Sequence, residues 1–241
     1  MISKIPYGNT ELTLELPDEQ VAGVLNSNIG NLQSDQTEDD IVRAAMAKHL
    51  GSASLKELAK DKKTAVIIIS DHTRPVPSKH IIPFMLEEMR AGNPDIEITL
   101  LVATGFHRGT TKEELVSKLG QKIVDEEKIA VHDSSNANEN VKIGVLPSGA
   151  DLIINRLAAE ADLLVSEGFI EPHFFAGFSG GRKSVLPGVS DRVTVLGNHC
   201  SKFIASPYAR TGILENNPIH TDMKSAAKQA GLQYIVNVII D

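Results

Sequence analysis

Apolar residues in this chain gather in short, β-branched blocks separated by stretches of helical period. Residues 64–70 (TAVIIIS) and 96–103 (IEITLLVA) are nearly continuous apolar runs, the pattern of strands buried on both faces. Between them, Ser78 as N-cap, an apolar period through Met89 and Gly92 as a stop predict a helix over 78–92. Thr110 or Thr111 followed by Lys112-Glu113-Glu114-Leu115 opens a short helix ending at Gly120, and residues 128–132, 141–145 and 161–166 are further strand candidates. A helix over 221–230, closed by Gly231, leads into a last strand over 232–240. The first sixty residues differ: 11–16 alternate like a strand with one exposed face, and 39–50 read as an amphipathic helix.

Strands alternating with helices predict an α/β fold with a mostly parallel, Rossmann-like sheet and helices on both faces. With no internal repeat, low-complexity tract or linker, a single domain over 1–241 is expected. The last predicted strand runs to the end of the chain at Asp241, which leads us to expect a piece of a longer protein.

Composition narrows the partners. The 241 residues are 41% hydrophobic and 23% charged, an ordinary globular balance. No run of eighteen apolar residues appears and the N-terminus is polar from the start, so neither a membrane span nor a signal peptide is expected, and the reading is cytoplasmic. A single cysteine, Cys200, suits a reducing compartment. The net charge of −7 and 4% aromatic content point away from nucleic acid and toward small molecules.

Ligands of an open parallel sheet bind beyond the carboxyl ends of its strands. Three polar, glycine- or proline-punctuated stretches fall there and are expected to share one rim. The first, Asp71-His72-Thr73-Arg74-Pro75, is stiffened by prolines and offers an arginine fork for a carboxylate or phosphate; alternatively, Asp71 and Arg74 only satisfy the turn or pair with each other. The second, Thr104-Gly105-Phe106-His107-Arg108-Gly109, sets a histidine between glycines, where it serves proton transfer or is merely solvated. The third runs from Glu167, after Ser166, to Lys183, and its most informative part is Glu171 through His173 and Gly177-Phe178-Ser179-Gly180-Gly181-Arg182-Lys183-Ser184 to Pro187. It resembles an anion cradle but fails the nucleotide-triphosphate template, because Arg182 stands where the second glycine is required and Pro187 falls in the first turn of the helix that should follow. Arg182 beside Lys183 should depress the lysine's proton affinity and favour covalent use, with a phosphate-pairing lysine as the alternative.

Farther on, His199 beside Cys200 looks like half a metal site; no Cys-x-x-Cys or His-Glu-x-x-His accompanies it. A lone imidazole can complete the sphere of a metal carried by something else. His49, His80, His132 and His220 read as structural or solvated.

Taken together, Asp71-His-Thr-Arg-Pro75, Thr104-Gly-Phe-His-Arg-Gly109, the Glu171–Ser184 stretch and Gly197-Asn-His199, in that order, resemble the nickel-pincer lactate racemase family over its N-terminal domain. The resemblance implies a racemase that interconverts D- and L-lactate, or a related small 2-hydroxy acid, by hydride shuttling. It implies nickel held by pyridinium-3-thioamide-5-thiocarboxylic acid mononucleotide, tethered to Lys183 and supplied by cofactor-maturation enzymes. His199 matches the nickel ligand, and His107 and His173 match the paired acid/base residues. Asp71, His72, Thr73 and Arg74 match the cofactor loop, with Arg74 also orienting the substrate, and Pro187 lies in a segment lining the same pocket. Family members continue into a second domain that closes over the site, which this chain lacks, so turnover by the isolated chain is not expected. The competing readings are a non-catalytic anion- or mononucleotide-binding domain and a kinase or ATPase.

Overall fold

The computed structural model describes residues 1–8, 10–26, 28 and 35–240, which cluster into two compact units, one within residues 1–35 and the other Gln36–Ile240. In the first unit, β1 (Ile2–Tyr7) and β2 (Thr10–Glu15) form an antiparallel hairpin. The alternation read over 11–16 is real, but both faces of β2 are exposed within the described residues.

The second unit opens with α1 (Glu38–Ala47) and α2 (Leu55–Leu58), both started by capping boxes, Thr37 with Asp40 and Ser54 with Glu57. Then come β3 (Thr64–Ser70), α3 (Ser78–Gly92), β4 (Glu97–Ala103), α4 (Lys112–Leu119), α5 (Gln121–Glu126) and β5 (Lys128–Val131). A hairpin of β6 (Asn140–Val145) and β7 (Asp151–Asn155) precedes α6 (Arg156–Glu160) and β8 (Leu163–Phe169). Short strands β9 (Pro172–His173) and β10 (Gly177–Phe178) are followed by a 3-10 turn at Gly181–Ser184, then α7 (Arg192–Asn198), α8 (Ser201–Ile204), α9 (Pro218–Gln229) and β11 (Leu232–Val238).

Five strands make one parallel sheet in the order β11-β8-β3-β4-β5. Both faces are covered, as the unbroken apolar runs require. Ala65, Ile67 and Ile69 of β3 pack toward α1 to α4, while Val66 and Ile68 pack toward α9 and the segment around Val185–Val189. The chain steps from β3 outward through β4 to β5, then returns to lay β8 on the other side of β3. The strand order therefore reverses between β3 and β8, which opens a crevice above their carboxyl ends.

Three expectations need correction. The 141–145 strand does not join the parallel sheet; it pairs with β7, which period alone did not reveal. Ser78 is the first residue of α3 and not its cap, because its hydroxyl donates instead to the buried Glu167 carboxylate at 2.6 Å. The last long helix begins at Pro218, where Asn217 accepts from the N–H groups of Ile219 and His220, so His220 lies inside it. At Pro187 the reading holds: the 3-10 turn ends at Ser184 and the next helix is α7, so the helix that a nucleotide-triphosphate loop requires after its lysine is not formed.

Candidate active site

The loops after β3, β4 and β8 do share one rim. They enclose a cavity of about 600 Å³ whose lining includes Asp71, Arg74, His107, His173, Lys183, Pro187 and His199. His72 and Thr73 are not part of that lining. His72 lines a neighbouring cavity and lies 3.1 Å from the Thr110 hydroxyl, and Thr73 bonds to Asp71.

The first loop is held from below and behind. Glu167, 2% exposed on the last turn of β8 toward the crevice, accepts from the Ser70 N–H and hydroxyl and from Ser78. Burial raises its carboxyl above the usual range. Lys118 donates to the carbonyls of Arg74 and Val76, and burial lowers its ammonium. The backbone of residues 70–78 is thereby fixed, yet the Arg74 guanidinium makes no hydrogen bond or ion pair among the described residues and stays free for a ligand. Asp71 pairs with Thr73 and His107 and not with Arg74. Burial acts to raise its carboxyl, but the hydrogen bonds from Thr73 and His107 outweigh that and hold it low.

In the second loop Gly105 adopts φ +54 and donates its N–H to the Gly188 carbonyl at 2.9 Å, which brings this loop against the Pro187 segment. His107 follows, its Nδ1 2.5 Å from Asp71 Oδ2. Arg108 is tied to Glu114, which also accepts from the Thr111 N–H at the start of α4.

The third loop is organised by Arg182. Its guanidinium donates to His220 Nδ1 at 2.9 Å and to the carbonyls of Ala176, Ser179 and Gly180. Arg182 is therefore a staple of the loop, with four of its five N–H donors engaged by the protein, and not an open anion ligand; His220, read from sequence as structural, shapes the loop through it. Gly177 at φ +82 allows the tight return, because a Cβ there would sit 2.5 Å from the Ile213 carbonyl oxygen. Gly177→Ala is expected to destabilise the fold by about 2–4 kcal/mol, from left-handed strain plus overpacking, measured by denaturant unfolding.

Lys183 follows on the 3-10 turn. Its ammonium makes no hydrogen bond or ion pair among the described residues, and its pKa is pushed down to about 7, first by burial, then by Arg182 and Arg74. Arg182 is visible in the sequence, but burial is the larger cause. An amine half neutral at pH 7 is suited to acylation. In the cofactor-free protein, acylation of Lys183 is expected to rise with pH through about 7. Ordinary lysines follow only toward about pH 10. Pulsed labelling with an acylating reagent and peptide mass spectrometry measures both.

His173 accepts the Ala176 N–H at Nδ1, 3.2 Å, stacks on Phe174 and meets Phe175 edge-on. Burial, then the charges of Lys183, His199, Arg74 and Arg182, hold it down at about 4. His199, just past α7, is likewise pushed to about 4 by burial and by Lys183. Its Nδ1 is buried and makes no hydrogen bond of good geometry, the Val195 backbone giving it only weak support. A buried, neutral imidazole with an unsatisfied nitrogen fits a metal donor, because a metal needs the deprotonated ring. Among the described residues no three His, Cys, Asp or Glu cluster, which leaves room for a cofactor to supply a metal's other ligands. The unpartnered Lys183 facing the same cavity fits a covalent anchor for one.

Glu167, Lys118 and His220 were not singled out as site residues from sequence. Only Glu167 left a signal there: an acid inside the apolar run Leu163–Phe169.

A family model for the lactate racemase N-terminal domain matches residues 7–212. The chain is 55% identical over 238 residues to the lactate racemase of Thermoanaerobacterium thermosaccharolyticum and 52% identical over 237 residues to that of Lactiplantibacillus plantarum. These matches cover 99% and 98% of this chain, which spans about half of each relative, 56%. The structure of the lactate racemase apoprotein from T. thermosaccharolyticum superposes with a TM-score of 0.90 at 54% identity, over 100% of this chain and 56% of that one. A crystal structure of a Thermotoga maritima protein, 24% identical and covering 87% of this chain and 53% of that one, gives a TM-score of 0.66 and shares the fold.

Proposed function

Since the chain belongs to the lactate racemase N-terminal domain family, we propose that it forms the cofactor-holding, proton-handling part of a racemase of lactate or a related small 2-hydroxy acid. The observation that carries this is the convergence of a free Arg74, two histidines, an unpartnered Lys183 and an unsatisfied His199 on one cavity at the strand-order reversal. In this reading residues 1–241 serve as the N-terminal catalytic domain, acting in the cytoplasm, and a second domain outside this chain completes the site.

Lys183 is the covalent anchor for the pyridinium mononucleotide, and His199 is the protein's nickel ligand. When bound, that group supplies a hydride acceptor near the substrate C2. Asp71, Arg74 and Pro187 line its pocket, and maturation enzymes load it. Every other task falls to this chain's side chains. Arg74 binds the substrate carboxylate through its planar fork. Oxidising the C2 alcohol to a carbonyl also releases the hydroxyl proton, and returning the hydride to either face requires that proton to be handled on both sides of the substrate, the task of His107 and His173. Burial and nearby cations keep His173 neutral at pH 7, and its partnered Nδ1 leaves an N–H to share with the substrate oxygen.

The second reading, an anion-binding domain without catalysis, loses its cradle because Arg182 is spent inside the protein. Full-length protein loaded by its maturation enzymes is expected to convert L-lactate or a related 2-hydroxy acid to the D form and back. No interconversion of any such acid would overturn the proposal.

A further inference from the structure

The geometry points to Asp71 as the positioning residue of His107, fixing which ring nitrogen is basic, and not as a ligand of the cofactor. This deepens the racemase reading and rests on it. Asp71 is 1% exposed, and both its oxygens are already engaged by the protein: Oδ1 accepts the Thr73 N–H at 3.1 Å and the Thr73 hydroxyl at 2.7 Å, and Oδ2 lies 2.5 Å from His107 Nδ1. An ionised carboxylate has no proton to donate, so the short contact places the hydrogen on Nδ1. The lone pair of the neutral ring is then on Nε2. The Thr73 hydroxyl lies 3.3 Å from the same Nδ1 but spends its proton on Asp71, so it does not compete.

His173 is set the other way. Its Nδ1 accepts the Ala176 N–H at 3.2 Å, with the Phe175 N–H at 3.5 Å, so its neutral ring carries hydrogen on Nε2. Two histidines of one cavity are thus held in opposite tautomers, one offering a basic nitrogen and the other an N–H. A hydroxy acid and the keto acid derived from it need these two partners: the hydroxyl of the first donates, and the carbonyl of the second accepts.

Asp71→Asn tests this through a constraint in the loop. The backbone N–H of Thr73 can only donate, so the new amide must keep its oxygen toward Thr73 and turn its NH₂ toward His107. His107 Nδ1 must then accept, and the ring hydrogen moves to Nε2. In full-length protein with ¹⁵N-labelled histidine, nitrogen shifts should show His107 as Nδ1–H and His173 as Nε2–H. Asp71→Asn should switch His107 and leave His173 unchanged. Racemisation by the loaded variant should fall about 100-fold or more in kcat, with KM within a few-fold. Its nickel and Lys183 adduct should stay at wild-type stoichiometry. Three results would overturn the inference: an Nε2–H tautomer of His107 in the parent, an unchanged tautomer in Asp71→Asn, or loss of nickel and adduct in that variant. The parent tautomers are read whether or not lactate turns over, so failure of this inference is distinguishable from failure of the racemase reading.

Discussion

Replacing His173 with alanine in the full-length, loaded protein is expected to cut racemisation by about 100- to 10,000-fold while leaving nickel content and the Lys183 adduct intact. The expectation follows from position: His173 lines the cavity, but its protein contacts are the local N–H groups of Phe175 and Ala176 and the rings of Phe174 and Phe175. Removing the imidazole opens no buried charge and cuts no long-range bond. Steady-state rates in both directions, beside metal analysis, check it. A variant that loses nickel along with activity would mean that His173 holds the cofactor instead of handling protons.

Lys183→Ala is expected to give the opposite pattern: no adduct, no stable nickel and no measurable racemisation, with the fold kept. The ammonium makes no hydrogen bond or ion pair among the described residues, and burial disfavours its charge, so its removal relieves a desolvated cation and does not break a contact. Unchanged circular dichroism and thermal unfolding, together with peptide mass and nickel analysis, measure this. Retained activity would end the anchoring role.

Much of this arrangement was legible in sequence, for physical reasons that differ from place to place. Strands β3 and β4 were readable because burial on both faces demands continuous apolar runs, and α4 because Thr111 and Glu114 write their capping box into adjacent residues. The β6–β7 hairpin was less readable. β7 leans on the Thr194 hydroxyl, which donates to the Asp151 and Ile153 carbonyls, a support that no local pattern announces.

The site divides in the same way. His107, His173 and Lys183 stood out by residue type, spacing and strand-end position. What each is bonded to did not. Asp71 and His107 are 36 residues apart and Arg182 and His220 are 38 apart, so their pairing exists only once β3, β4 and β8 have brought their loops together. Lys183 shows the same limit: its charged neighbour was visible, but burial, which moves it more, is a property of the fold.

In the proposed function, Lys183 and His199 hold a nickel-bearing mononucleotide in the cavity that His107 and His173 line. The most direct test is the intact and peptide mass of the full-length protein purified from a host that carries the maturation enzymes, with nickel measured on the same sample. An added mass on the peptide containing Lys183 and about one nickel per chain are expected. An unmodified Lys183 in protein from that host would contradict the proposal.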